Sequence, residues 1–496
     1  MSRQSDLDRG MSESAILRDY ANGDVPLITT VNTIGRKVAN GVFPNPVGPD
    51  QTGRYRSSNN TRLITVNTEL MSELKDKDKA VPCFLEAGPR ETLSFNPSRV
   101  RVAIVTAGGI APGLNSVIKA IVQRHCSFYK LNPNDNGNVF GIKNGFKGLS
   151  GNEADKVVLT PEIVERWHSR GGTMLGSIRE SKGRIDLKAE AAASCLRNLG
   201  IDILYVLGGD GSMQVAHELS KRLPDVAIAC VPKTIDNDIL WVWESFGFAT
   251  AVEEATRVIN TLHQEAESTR RICLIELFGA ESGFIAANAA MASANVDLVL
   301  IPEVFRFLKN DSKKPAPEYV PDADQLYMQA CIRHIEEIIK RRNQTKEPHA
   351  VIIVAEGVSK RLDGITLQIP GYSEKLGDDE KKLTISNQIK KYFESACHIW
   401  NGEKIEVFIN EPRHNIRAVP ANAIDQIYCE RLGTLVVDCA LAGYTDFMIS
   451  QWLTEYVLVP LEMATMGQKS IYLDGVFWKQ VMNITEQPTH EQFRID

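Results

Sequence analysis

Apolar runs punctuate the chain from residue 99 onward, at Val102–Thr106, Val139–Ile142, 203–207, 226–231, Ile272–Leu277, 296–301 and 351–355. Most are near-continuous rather than alternating, which predicts strands covered on both faces. Between them, at 114–124, 189–198 and 252–265, apolar residues recur every three to four positions, the period of an amphipathic helix. Strands of this kind alternating with helices predict an α/β fold with parallel-rich sheets covered by helices. Residues 1–97 lack the alternation. Asn45-Pro46 and Gly48-Pro49-Asp50 break that stretch, and the charged run 75–79 should be solvated. It is expected to be an extension that wraps the core or supports subunit contacts. The charged, proline-containing stretch 308–321 is expected to be a surface loop.

The chemistry gathers where the runs end. After 203–207 comes Gly208-Gly209-Asp210-Gly211-Ser212, and after 226–231 comes Pro232-Lys233-Thr234-Ile235-Asp236-Asn237-Asp238. In an open α/β sheet both clusters fall at the carboxyl ends of strands, where such folds bind ligands. Asp210 can help hold Mg²⁺, which takes few protein carboxylates beside phosphate oxygens, or it can cap the following helix. Two carboxylates two apart in extended chain point the same way, and their repulsion favours a metal or a base role. One of them can take a proton from a substrate hydroxyl; the plainer alternative is a polar turn. The turn 107–115, with Gly108 and Gly109, lets backbone N–H groups approach a phosphate at a helix start, although βα turns use glycine routinely. Arg179, Arg271 and Arg417 stand at further junctions, where planar guanidinium groups suit phosphate, or surface positions. Glu356 ends the run 351–355, and Phe278-Gly279-Ala280 follows Ile272–Leu277.

The totals narrow the class. Over 496 residues, 43% are apolar and 24% charged, ordinary for two or three globular domains. A net charge of -6 argues against nucleic acid or an anionic membrane as the main partner. No apolar run reaches the roughly 18 residues that span a bilayer. Residues 1–14 contain no apolar core of a secretory signal. Nine scattered cysteines without a CxxC pair predict reduced thiols in a cytoplasmic protein and no metal–thiolate site.

In this order the motifs resemble the 6-phosphofructokinase family, most closely its long ATP-dependent branch of plants and trypanosomatids. Those carrying the resemblance are Ala87-Gly88-Pro89-Arg90-Glu91, 108–115, 232–238, Ser245-Phe246-Gly247-Phe248, 282–287 and 416–423. The resemblance implies two Rossmann-like lobes. Residues 98–250, completed by part of 430–496, would form the nucleotide lobe, and 251–430 the sugar-phosphate lobe, with 431–496 packing back. It implies transfer of the γ-phosphoryl group of MgATP to fructose 6-phosphate, with Asp236 as base beside Thr234 and Asp238. Asp210 is implied to attend Mg²⁺, and Gly109, Phe146, Arg179, Gly211, Ser212 and Lys233 to lie on the nucleotide side. Glu356, His414, Arg417, Phe278 and Gly279 would meet the sugar phosphate. Arg271 would be supplied by a neighbouring subunit, which implies a homo-oligomer, with a tetramer usual, and allosteric control.

Gly211 stands where pyrophosphate users carry an aspartate, so it favours ATP, whereas Lys233 occurs in both groups. Three positions depart from the family pattern: Ala280 where an arginine is expected, Phe408 where a basic residue is expected, and Glu180 in place of glycine. They leave two alternatives: a kinase with another donor or acceptor, and a weakly catalytic regulatory subunit. Lys182, Arg184 and Arg413 are candidates to supply the missing positive charge.

Overall fold

The apolar runs are strands, and they sort into two sheets. The computed structural model describes residues 13–34, 43–48, 54–57, 60–65, 67–133, 138–150, 154–178, 185–305, 323–345, 347–362, 384–396, 404–489 and 492. The larger sheets contain β1 (Thr61–Leu63), β2 (Cys83–Glu86), β3 (Val102–Thr106), β4 (Val139–Ile142), β5 (Lys156–Val158), β6 (Ile203–Gly208) and β7 (Ala227–Pro232). Further along come β8 (Ile272–Leu277), β9 (Leu298–Leu300), β10 (Ala350–Ala355), β11 (Val407–Asn410), β12 (Phe447–Trp452) and β13 (Glu455–Pro460). One sheet has the order β1-β2-β13-β12-β7-β6-β3-β4-β5, the other β9-β10-β8-β11.

Backbone contacts divide the chain into two units. One spans 11–250 and 417–468 and holds the nine-stranded sheet; the other takes 251–416 and 469–496 and holds the four-stranded sheet. The sequence division falls at 250 and 430, whereas these units divide at 250, 416 and 468. In the first unit β12, β7, β6, β3 and β4 are parallel, and each is flanked by helices or further strands. Antiparallel strands complete both edges. The second sheet is parallel throughout. Every residue of β3, β6, β7, β8 and β10 is buried, the reason their runs read as continuous rather than alternating.

The described part of the N-terminal extension contributes to the core of the first unit. Helices Glu13–Asn22 and Thr68–Asp76 flank β1 and β2, and Ile16, Leu17, Leu70, Leu74 and Phe84 join the core of the first unit. These elements escape a periodicity reading because the strands are three and four residues long. The β12–β13 hairpin is missed for another reason: its turn holds Leu453 at φ +55°, without the glycine or asparagine that announces such turns.

Helix α1 (Leu114–Gln123) follows β3, α2 (Asp210–Arg222) follows β6, and α3 (Ala423–Leu441) packs on α1. Arg124, just past α1, pairs with Asp438 of α3 at 2.8 Å through two nitrogens, and the Tyr129 hydroxyl donates to the same carboxylate at 2.9 Å. A buried pair of this kind is held by its hydrogen bonds, and removal of one partner would strand a charge. The eight described cysteines are free thiols, six of them buried. No helix among the described residues is long and apolar enough to cross a membrane.

Candidate active site

In the first unit, β3, β6 and β7 run parallel in register, Thr106 beside Leu207 and Pro232 beside Gly208. Their carboxyl ends therefore deliver three loops to one edge of the sheet, the usual ligand edge. At the first loop Gly108 has φ +84°, and a Cβ there would lie 3.2 Å from Lys233 Nζ and 3.9 Å from Ser212 Oγ. Only glycine takes this conformation without strain. The buried Lys233 ammonium donates to the Gly109 carbonyl at 2.5 Å, so one cation ties the first loop to the third. Arg417 joins them, its Nη1 3.9 Å from a Cβ placed on Gly109. The loop 171–178 is held to the same edge by Thr106 Oγ1 donating to Gly176 O at 2.8 Å and Ser177 Oγ to Gly108 O at 2.6 Å.

Gly209 precedes the first turn of α2, which begins at Asp210. A carboxylate there meets the positive end of the helix dipole. Both Asp210 oxygens accept from Gln214 Nε2 at 3.2 Å. Gly211 is exposed, and a Cβ added to it would meet nothing within 4 Å.

The segment after β7 is a turn, which corrects the extended chain expected from sequence. Asn237 has φ +52°, the Asp236 amide donates to Thr234 Oγ1 at 3.1 Å, and Thr234 Oγ1 donates to Asp238 Oδ1 at 3.0 Å. The two carboxylates thus stand in different surroundings, with Asp238 engaged by a threonine hydroxyl. Ser245 closes the turn, its hydroxyl donating to Thr234 O and its amide to Asn237 Oδ1. Phe146 is buried in the hydrophobic core, in the short helix Gly145–Leu149. Arg179, Glu180, Lys182 and Arg184 lie outside the described residues, as does the expected loop 308–321.

Asp425 is a residue the sequence reading missed. Its carboxylate accepts Gly247 N and Thr250 N, both at 2.8 Å, and the Thr250 hydroxyl. Burial pushes its pKa up, against the lowering effect of those bonds. The available signal was Asn422-Ala423-Ile424-Asp425, a capping pattern at the start of α3, and Asn422 does accept the Asp425 amide at 2.9 Å. Nothing local tells that the same side chain also pins Gly247 and Thr250.

The second unit shows the same logic at a smaller sheet. Leu277 and Ala355 are register partners, so Phe278 and Glu356 leave β8 and β10 side by side. Gly279 has φ +138°; a Cβ there would lie 2.3 Å from Ser282 O, and its carbonyl accepts Gly357 N at 2.8 Å. Glu356 precedes the short helix Gly357–Arg361 and is half-buried, while His414 is exposed in the turn after β11. Arg271 stands at the opposite end of β8, paired with Glu406 at 2.7 Å, so the fold does not bring it to Phe278, Gly279 and Glu356. Ala280 is half-buried, and Phe408 is an exposed aromatic on β11.

Comparison with known proteins places the chain in a family. The family model described as phosphofructokinase matches residues 101–440. The ATP-dependent 6-phosphofructokinase of Borreliella burgdorferi (strain ATCC 35210 / DSM 4680 / CIP 102532 / B31) is 35% identical over 410 residues, covering 81% of this chain and 85% of the relative. ATP-dependent 6-phosphofructokinase 2 of Arabidopsis thaliana is 33% identical over 82% of this chain and 85% of its own length. Among solved structures, the pyrophosphate-dependent phosphofructokinase of Marinobacter aquaeolei aligns with a TM-score of 0.57 at 16% identity, over 80% of this chain and 92% of that one. That likeness concerns the fold alone.

Proposed function

This chain belongs to the phosphofructokinase family, and from that premise we propose that it transfers the γ-phosphoryl group of ATP to the 1-hydroxyl of fructose 6-phosphate. The products are fructose 1,6-bisphosphate and ADP. The observation that carries the choice of donor is Gly211. It is exposed in the first turn of α2, with open space where a side chain would project. An aspartate there would place a carboxylate against a nucleotide phosphate; glycine leaves the room to ATP.

Phosphoryl transfer asks the protein for positioning and charge compensation more than for covalent chemistry. Asp236 is the proposed base for the sugar hydroxyl, supported by a turn in which the Thr234 hydroxyl accepts the Asp236 amide and turns its own proton to Asp238. The hydroxyl bond to Asp238 gives the two carboxylates different surroundings, as an assignment of one of them as base requires. Gly109, Ser212 and Lys233 are assigned to the nucleotide phosphates, and Glu356, His414, Arg417, Phe278 and Gly279 to the sugar phosphate. Asp210 is assigned to Mg²⁺, which prefers few carboxylates together with phosphate oxygens; the Gln214 amide that donates to both its oxygens would turn aside for the cation. When bound, it would neutralise phosphate charge. A homo-oligomer in the cytoplasm completes the proposal, supported by the position of Arg271 away from the other assigned groups.

The test is a coupled assay on the purified chain with fructose 6-phosphate, Mg²⁺ and either ATP or pyrophosphate. Turnover with ATP is expected, and Asp236→Ala should lower it by at least about a thousandfold with an unchanged circular dichroism spectrum. Turnover only with pyrophosphate would overturn the donor, and near-normal activity of Asp236→Ala would overturn the base.

A further inference from the structure

A buried carboxylate in the second unit is not used by this mechanism. Glu276 is the penultimate residue of β8, and its side chain is almost wholly buried. One oxygen accepts the Ser386 hydroxyl at 2.8 Å, and the other binds Arg413. Ile275 is the register partner of Asn410, the last residue of β11. The chain beyond Asn410 therefore leaves the sheet at the level of Glu276. Only two residues separate Asn410 from Arg413, and His414 follows at once.

A buried charge without its partner is strongly unfavourable, so Glu276 holds Arg413 tightly. We infer that the Glu276–Arg413 pair positions the turn 411–416, and with it His414. The inference rests on the assignment of His414 to the sugar phosphate. Arg413 is a positioning residue rather than a phosphate ligand, because carboxylates surround it. Burial works against its charge, but Glu276 and Glu356 outweigh burial and hold its pKa above the ordinary guanidinium value. Glu411 adds a third carboxylate, 3.4 Å from Nε. An incoming phosphate would meet three acids around one cation. This also answers the sequence reading that offered Arg413 as the missing positive charge.

A double-mutant cycle separates positioning from direct contact. Glu276→Gln and Arg413→Met should each raise KM for fructose 6-phosphate about tenfold, with KM for ATP and kcat within about threefold of the parent. The double variant should be no worse than either single one, because both remove the same tie. If Arg413 instead binds phosphate, Glu276→Gln frees it and leaves KM unchanged or lowered, which would overturn the inference. Amide hydrogen exchange over 411–416, measured without substrate, should quicken in both variants. That readout stands even if fructose 6-phosphate proves to be the wrong acceptor, and unchanged exchange sinks the positioning role. Arg413→Lys keeps a cation but loses the planar fork, and serves if Arg413→Met does not fold, with the same expectations in smaller measure.

Discussion

At the scale of single residues, the glycines and lysine of the first unit are candidates by their types, but which of them meet in space is not legible from the sequence. Lys233 spans from β7 to the Gly109 carbonyl, a contact between residues 124 positions apart that no local pattern encodes. Thr234 stands with Asp236 and Asp238 in the expected catalytic group, and the bonds of its hydroxyl to both neighbours are visible only in the fold. Gly211 is the position where sequence and structure make the sharpest joint statement. Gly211→Asp meets open space and an exposed first helical turn, where an acid is favourable and glycine is not. The melting temperature should therefore hold or rise slightly, while KM for ATP rises by at least about tenfold through repulsion of the nucleotide phosphates. A variant with parental KM for ATP would remove the argument for the donor.

At the scale of elements, the parallel strands were legible because burial on both faces writes a continuous apolar run. The antiparallel edges were not. β1 and β2 are too short to show a period, and the β12–β13 hairpin turns at Leu453 without a turn residue. These edge elements matter to stability. Deleting residues 1–97 would strip β13 of its partner β2 and expose a sheet edge. It would also remove Ala21 and six larger side chains from this core, Ile16, Leu17, Ile64, Leu70, Leu74 and Phe84. At about 1.5–3 kcal/mol each that is on the order of 10 kcal/mol, comparable to the whole stability of an ordinary domain, roughly 5–15 kcal/mol. The truncated chain is expected to aggregate on expression. A soluble product that elutes sharply from a sizing column and melts like the parent would contradict this.

At the scale of the whole molecule, one buried group makes global stability depend on acidity. His125 is fully buried, with Nε2 2.9 Å from the Tyr205 hydroxyl and no hydrogen-bond partner for Nδ1 among the described residues. Burial, with a smaller push from Arg124, lowers its pKa to about 3. The unfolded chain takes up this proton near pH 6.5, whereas the folded chain does not. Stability from this group is therefore complete above the unfolded value and lost as pH falls from about 6.5 toward 3. Each pH unit in that window is worth about 1.4 kcal/mol. Between pH 7.5 and 5 the parent should lose about 2 kcal/mol more than His125→Gln in denaturant titrations. Equal losses would show that the imidazole is already charged in the fold.

By itself the sequence determined the α/β class, the strands of the central sheets, and the phosphofructokinase family, since burial period and motif order are local properties written residue by residue. It also marked the loops that carry the candidate residues. Only the tertiary structure decided that Lys233, Gly108, Ser212 and Arg417 share one edge, that Asp425 pins Gly247 and Thr250, and that Glu276 claims Arg413. It also decided that Arg271 stands at the far end of its strand. Such pairings join residues tens to hundreds of positions apart, and what selects them is strand register and the need of each buried charge for a partner, neither of which a local window of sequence contains.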